Sequence, residues 1–426
     1  MDGPDDVLEH GPERPRRRRL PIALAAVAVL GLVAYGAVRL GGEGPGAGSG
    51  GTDPPRAVTS PAASPTESWR TTEGACESRA RLPIMRPTPR VLQQTTGLRV
   101  IAGGPKPAVI DVDSGRSTPL SGVPDGEHVD QLVRRGDKIY AVAEACYDQD
   151  DGNQSPTVLR VRDHGTDRVH FAGPVGGLIA GPSGVWGVRL SEPGHKKTIL
   201  RGIDGSTLRL PRGVWFAGVM QDAIVGEIMG NPDVDRLPAL ALFDPDTGKV
   251  RRRIPGASPL AVTDDFVLWT QNCASPYTTA SSPPCVLHRA GPGVHAGRDD
   301  TYTLPRGRVP FGRGAVSTDG RFAAFQLGKT HQDGRYNMGH PGPPSQVAVL
   351  DLSSGKLQVV PSLELAPKTL VGMAFAPDSG WLLLAVNEGR HGRLLAWRLL
   401  SNRLLRCPGK LPGPLSSAPP LLAMAR

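Results

Sequence analysis

From about residue 107 to 407 the chain alternates short apolar runs with polar turns. "QVAVLDLSSGKLQVV" at 346–360 is representative: an alternating strand, the turn Ser-Ser-Gly-Lys, and a second strand. The same grammar appears in "PAVIDVDSGR" (107–116), "TVLRVRDHGTDRVHF" (157–171), "TILRGIDGSTLRL" (198–210) and "PALALFDPDTGKV" (238–250). A second pair of apolar runs follows each. Period-two alternation bounded by Gly, Asp and Ser predicts strands joined by tight hairpins. Units start near 108, 157, 198, 239, 285, 346 and 393, at spacings of 49, 41, 41, 46, 61 and 47.

Four short strands in about 40–45 residues is the period of a propeller blade. One such sheet has two apolar faces and buries neither alone, whereas packing blade on blade around a closed ring buries both. The expectation is an all-β, seven-bladed β-propeller over 91–408, with six or eight blades as alternatives. A sandwich or two smaller β domains would not need the same turn phrase at this spacing. The seventh unit lacks an inner half, and "RVLQQTTGLRVIAGG" (90–104) is expected to supply it, so that the first and last blades share strands.

Two units carry a closer phrase, "VSTDGRFAAF" (316–325) and "AFAPDSGWLLLAV" (374–386). Asp319-Gly320 and Asp378 to Gly380 are the expected turn residues, with Ser379 read as an insertion. Phe322 and Phe325 are expected to fill space between sheets. The phrase resembles the WD40-like (PD40-type) repeat of TolB-like propellers. The style of the whole chain is similar to membrane-anchored actinobacterial envelope propellers of unassigned function. The resemblance implies a propeller that binds proteins or envelope components.

The N-terminal part changes the picture. "RPRRRR" (14–19) precedes 19 uncharged residues, Leu20–Val38. As a helix these extend about 28 Å, close to a hydrocarbon core of roughly 30 Å. The arginines place residues 1–19 in the cytoplasm and the rest outside, as a single-pass cell-membrane protein held in the bilayer by 20–38. A cleaved signal peptide is the alternative; the long apolar run and the lack of a small-x-small site oppose it. Residues 39–70 are rich in Gly, Pro and Ser and read as a flexible linker. The lead-in 71–90 follows, and 409–426 reads as a Pro-rich tail or docked strap.

The net charge of +9 comes from scattered arginines, apart from Arg251-Arg252-Arg253. Without interleaved aromatics this does not describe a nucleic-acid surface. Five cysteines in an external compartment permit disulfides. Cys273 and Cys285 bracket a loop-like segment and are the expected pair. Among Cys76, Cys146 and Cys407, both Cys76–Cys146 and Cys76–Cys407 remain open.

A search for chemistry assigns no catalytic residue, no metal site and no cofactor. The zinc-protease signature and the Gly-x-Ser-x-Gly elbow are absent, and "GPSGVWG" (181–187) reads as a turn. "DQDDGNQSP" (148–156) lacks the glutamate that ends a calcium loop. Asp130, Asp222, Asp264 and Asp319 are the candidate acids for chemistry shared among blades, although almost every one fits a turn. Trp186, Trp215, Trp269, Trp381 and Trp397 are read as packing between blades. The longest interruption of the period, 329–345, offers Tyr336, Met338 and His340 as candidate ligand contacts. The leading functional expectation is noncatalytic binding of an unknown protein or envelope partner. A propeller hydrolase or lyase, and a sensor or accessory subunit of a membrane complex, are the alternatives.

Overall fold

The computed structural model describes residues 84–85, 88–135, 137–145, 156–162, 165–171, 175–181, 184–189, 197–211, 213–228, 239–271, 273, 284–291, 300–329, 345–365, 371–388, 391–399, 401–411 and 422–425. Within them β1 (Ile84–Met85) and β2 (Arg90–Val91) precede the ring. Blade 1 contains β3 (Arg99–Ala102), β4 (Ala108–Asp111) and β5 (Ser117–Pro119). Blade 2 is β6 (Glu127–Arg135), β7 (Lys138–Ala145), β8 (Thr157–Val161) and β9 (Thr166–Arg168). Blade 3 is β10 (Gly177–Gly181), β11 (Gly184–Arg189), β12 (Lys197–Gly202) and β13 (Thr207–Pro211). Blade 4 is β14 (Val214–Val219), β15 (Ile224–Ile228), β16 (Ala239–Phe243) and β17 (Val250–Pro255). Blade 5 is β18 (Ala257–Val262), β19 (Val267–Gln271), β20 (Val286–Ala290) and β21 (Asp300–Thr303). Blade 6 is β22 (Arg308–Val316), β23 (Phe322–Lys329), β24 (Gln346–Asp351) and β25 (Leu357–Val359). After β26 (Leu363–Glu364), blade 7 is β27 (Gly372–Phe375), β28 (Trp381–Glu388), β29 (His391–Arg398) and β30 (Arg403–Arg406). The last strand, β31 (Leu422–Ala425), returns to blade 1.

The described residues therefore form an all-β, seven-bladed propeller, each blade built on four antiparallel strands, with a fifth strand added at the outer edge of blade 7. Its core consists of seven apolar seams between successive blades. Alternation explains how one strand serves two seams. In β23, Phe325 is fully buried against blade 5 with Leu268 and Leu287, whereas Phe322 packs toward blade 7, 6.5 Å from the Phe375 ring. Trp186 fills the seam of blades 3 and 4, Trp269 that of 4 and 5, Trp397 that of 6 and 7, and Trp381 that of 7 and 1. Burying side chains of this size contributes about 1.5–3 kcal/mol each. Trp215 departs from its expected role, being 67 % exposed.

Ring closure also differs from the expectation. Blade 7 is complete without 90–104. In that stretch β2 pairs parallel to β30 as a fifth, outer strand, and β3 is the second strand of blade 1. The innermost strand of blade 1 is β31, paired from Arg99↔Ala425 to Ala102↔Leu422. The segment read as a Pro-rich tail thus ends in an apolar strand that covers an otherwise open inner edge. Gly115 lets the seam close on the other side, since a Cβ there would fall 1.9 Å from the Pro408 carbonyl oxygen.

Three outer hairpins repeat the same backbone hydrogen bonds. Asp111, Asp244 and Asp351 each accept a hydrogen bond at Oδ1 from the backbone N–H three residues on: Ser114, Thr247 and Ser354. Their carbonyls accept from Gly115, Gly248 and Gly355. For Asp351 burial opposes ionisation, but hydrogen bonds from Ser353 and Arg321 outweigh it and hold the carboxyl well below its usual range.

The phrase that recurs at 316–325 and 374–386 is likewise one turn built twice. Gly320 N–H donates to the Ser317 carbonyl and Ser379 N–H to the Ala376 carbonyl, and both residues have positive φ, +68° and +57°. Ser379 is thus not an insertion; it stands where the first copy has Gly320, and Gly380 follows the turn. Asp319 is buried enough to oppose ionisation, yet hydrogen bonds from Ser317 Oγ and Arg321 N–H keep its carboxyl below the usual range.

Cys273 and Cys285 form a disulfide with Cα atoms 5.1 Å apart. Cys407 is a free thiol buried in the seam of blades 7 and 1, so the Cys76–Cys407 pairing is not formed. Cys76 and Cys146 lie outside the described residues, as do 1–70 and the rest of the lead-in before Ile84. Among the described residues no helix is long and apolar enough to cross a membrane.

Candidate functional site

The strand directions give the ring two unlike faces. In blades 2 to 7 the innermost strand runs toward a short hairpin, as at Arg135↔Lys138 and Val262↔Val267, on what we term the turn face. The second and third strands of blades 2 to 6 are joined at the opposite end by longer connections: 146–156, 190–196, 229–238, 272–285 and 330–345. This is the loop face. The Cys273–Cys285 bond joins the two ends of one connection, so its span is fixed covalently. Tyr336, Met338 and His340 lie outside the described residues, in the connection between β23 and β24, whose flanking ends are both on the loop face.

Polar links tie the inner strands together. Gln131 of blade 2 donates from Nε2 to the Leu178 carbonyl (2.7 Å) and accepts from Leu178 N–H (2.8 Å). Gln326 accepts from Val371 N–H at 3.1 Å, and Glu227 Oε1 accepts from Ser258 Oγ at 2.8 Å. These side chains use the inner edges of neighbouring blades as partners, so buried polar groups fix the register between sheets.

Two loop-face arrangements are not structural turns. In blade 2, Glu127, His128, Asp130 and Glu144 gather at the start of β6 and the end of β7. Asp130 occupies a β-bulge between Val129 and Gln131. Burial pushes the Glu127 carboxyl up, and the Thr157 hydroxyl at 3.2 Å partly offsets this. Glu144 is pushed up by burial and by the Asp130 charge, against His128. In blade 4, Trp215 and Glu227 are directly opposed on β14 and β15, near the loop-face end. Among the described residues no three His, Cys, Asp or Glu side chains are grouped to hold a metal.

The other candidate acids are structural. Asp319 makes the turn described above. Asp222 sits in the β14–β15 turn, whose carbonyl accepts from Arg251 at 2.5 Å. Asp264 lies on the turn face, where it meets Arg135 of blade 2. Glu127 was not singled out by motif reading, because it lies in no repeated phrase, and Trp215 was read as packing between blades rather than as part of a site. The signal available was parity: in "GVWFAGV" Trp215 has the opposite phase to Val214 and Phe216, which face blade 3.

No family model matches the chain, and no curated protein matches it. Solved structures do. A functionally unknown protein from Desulfotomaculum acetoxidans is 12% identical, with a TM-score of 0.45, covering 77% of this chain and 99% of that one. The tricorn protease is 11% identical with a TM-score of 0.44, covering 82% of this chain and 36% of that one. The β-propeller domain of the Trilobed protease from Pyrococcus furiosus, described as having an open velcro topology, is 11% identical with a TM-score of 0.41. It covers 64% of this chain and 81% of that one.

Proposed function

We propose that this protein is a membrane-anchored, extracytoplasmic propeller of the TolB-like kind whose loop face binds a protein or envelope ligand without catalysing a reaction. The observation that carries this reading is the asymmetry of the ring. The hairpins that follow the innermost strands of blades 2 to 7 are short, whereas blades 2 to 6 join their second and third strands by longer, dissimilar connections at the loop face, one of them bracketed by a disulfide. A rigid scaffold that presents variable loops on one side suits recognition. The disulfide fits an oxidising compartment, which agrees with the orientation expected from Arg16–Arg19 and the apolar run Leu20–Val38.

The test is crosslinking in intact cells. The full chain is compared with a variant in which 330–345 is replaced by an Asn-Gly turn. A specific adduct that weakens in the variant is the expected result; no specific adduct, or one indifferent to the loop, overturns the reading. Carbonate extraction of the membranes tests the anchor separately.

A hydrolase or lyase is the second reading, supported by Glu127 and Glu144, whose raised carboxyls lie beside His128. Turnover of a substrate by the full chain that is lost in both Glu127→Gln and Glu144→Gln would favour it.

A further inference from the structure

Of the five strand tryptophans singled out above, four are buried and Trp215 is 67 % exposed. Its place is not accidental to the sheet. Trp215 is the second residue of the innermost strand of blade 4, and Glu227 is its direct cross-strand partner. Opposed residues in an antiparallel pair project to the same sheet face, with Cβ atoms about 5 Å apart. That face is turned toward blade 5, because Glu227 Oε1 accepts from Ser258 Oγ at 2.8 Å. The bulge between Phe216 and Gly218 follows at once and shifts the strand's register, as bulges do where a side chain is re-aimed.

An exposed indole therefore lies beside an oriented carboxylate. Among the described residues no Lys or Arg pairs with that carboxylate. An aromatic face and an anion side by side attract a cation from two directions, by the ring quadrupole and by charge. The chain as a whole carries +9, so this spot has the opposite sign to the surface average. A basic ligand is repelled elsewhere and drawn here.

We propose that Trp215 and Glu227 form a subsite for a Lys or Arg side chain of a basic peptide segment in the partner protein. The inference rests on the protein-binding reading above and adds the chemistry of the partner. Ser258 is a positioning residue: its hydroxyl holds one carboxylate oxygen and leaves the other to the cation.

The test uses fluorescein-labelled octa-arginine and its uncharged octa-citrulline analogue, titrated against the full chain by fluorescence anisotropy. Octa-arginine is expected to bind and octa-citrulline not to. Trp215→Ala and Glu227→Gln should each weaken binding about tenfold, Trp215→Phe much less, and Ile203→Ala on the turn face not at all. Equal binding of the two peptides, or indifference to both Trp215→Ala and Glu227→Gln, overturns the proposal. So does Trp215-dependent binding of a neutral oligosaccharide in place of octa-arginine. Absence of octa-arginine binding alongside a loop-dependent adduct in cells would sink this subsite while leaving the protein-binding reading standing.

Discussion

Arg135 of blade 2 donates a 2.5 Å hydrogen bond to Asp264 of blade 5. In a ring of seven, blades three apart are as distant as two blades can be. The long β6–β7 hairpin thus reaches over the opening on the turn face and is held there by a charge pair. Gln221 of blade 4 joins the same spot, its N–H donating to the Asp264 carbonyl and its side chain to Asp265.

The pair is partly exposed, 27 % for Arg135 and 59 % for Asp264, so its energetic worth is small. Arg135→Ala is expected to lower stability by less than about 1 kcal/mol. Its effect should be local: faster amide exchange around 134–139 with the remaining strands unchanged. Unaltered exchange in that hairpin would show that the bridge holds nothing.

The duplicated turn predicts opposite outcomes at matching sites. Gly320→Ala forces a Cβ into the left-handed region, 3.4 Å from the Phe266 ring, and should cost about 1–2 kcal/mol. Ser379→Gly removes the same strain from the second copy and should be neutral or stabilising by up to about 1 kcal/mol. Chemical denaturation of both variants measures the pair; destabilisation by Ser379→Gly would contradict the equivalence of the two turns.

Much of this fold was legible from residues. The Asp-x-x-(Ser/Thr)-Gly hairpins at 111, 244 and 351 announced themselves because turn geometry restricts residue choice. Cys273 and Cys285 were legible because their spacing brackets a loop. Ring closure was harder. Leu422–Ala425 is too short to display a period, and its prolines upstream pointed to a tail; only the unpaired inner edge of β3 explains its place. Trp215 was misread for a related reason: a tryptophan in a strand says little about which face it occupies until the neighbouring sheet is known. The separation of the two faces of the ring needs all strand directions at once, and no local motif records it.

Removing the disulfide should loosen the loop face and spare the ring. Cys273→Ser/Cys285→Ser frees the two ends of a connection separated by 12 positions. The loss is expected to be about 3 kcal/mol, in chain-entropy terms. Thermal unfolding of the double variant, and of the native chain with and without reductant, checks this. Identical melting in all three would mean that the bond constrains little.

Cys407 gives the chain an alkaline weakness. Burial in the seam of blades 7 and 1 pushes its thiol up to about 12, with the Asp113 charge adding to the effect. In the unfolded chain the thiol ionises near 9. A group raised on folding contributes its full stability below the unfolded value and loses it as pH climbs toward the folded one. Stability should therefore fall between about pH 9 and 12, and Cys407→Ala should flatten this slope. Alkylation at pH 8 should leave Cys407 unmodified until the protein unfolds, as mass spectrometry of the trapped thiol can establish. Rapid native labelling would contradict its burial.

The strand Leu422–Ala425 has a consequence for biosynthesis. A ribosome delivers it after every other described strand, yet blade 1, whose other three strands emerge before any strand of blades 2 to 6, lacks its inner edge until then. Six blades can stack as they emerge, but the circle stays open until Leu422–Ala425 comes home to the strand begun more than 300 residues earlier.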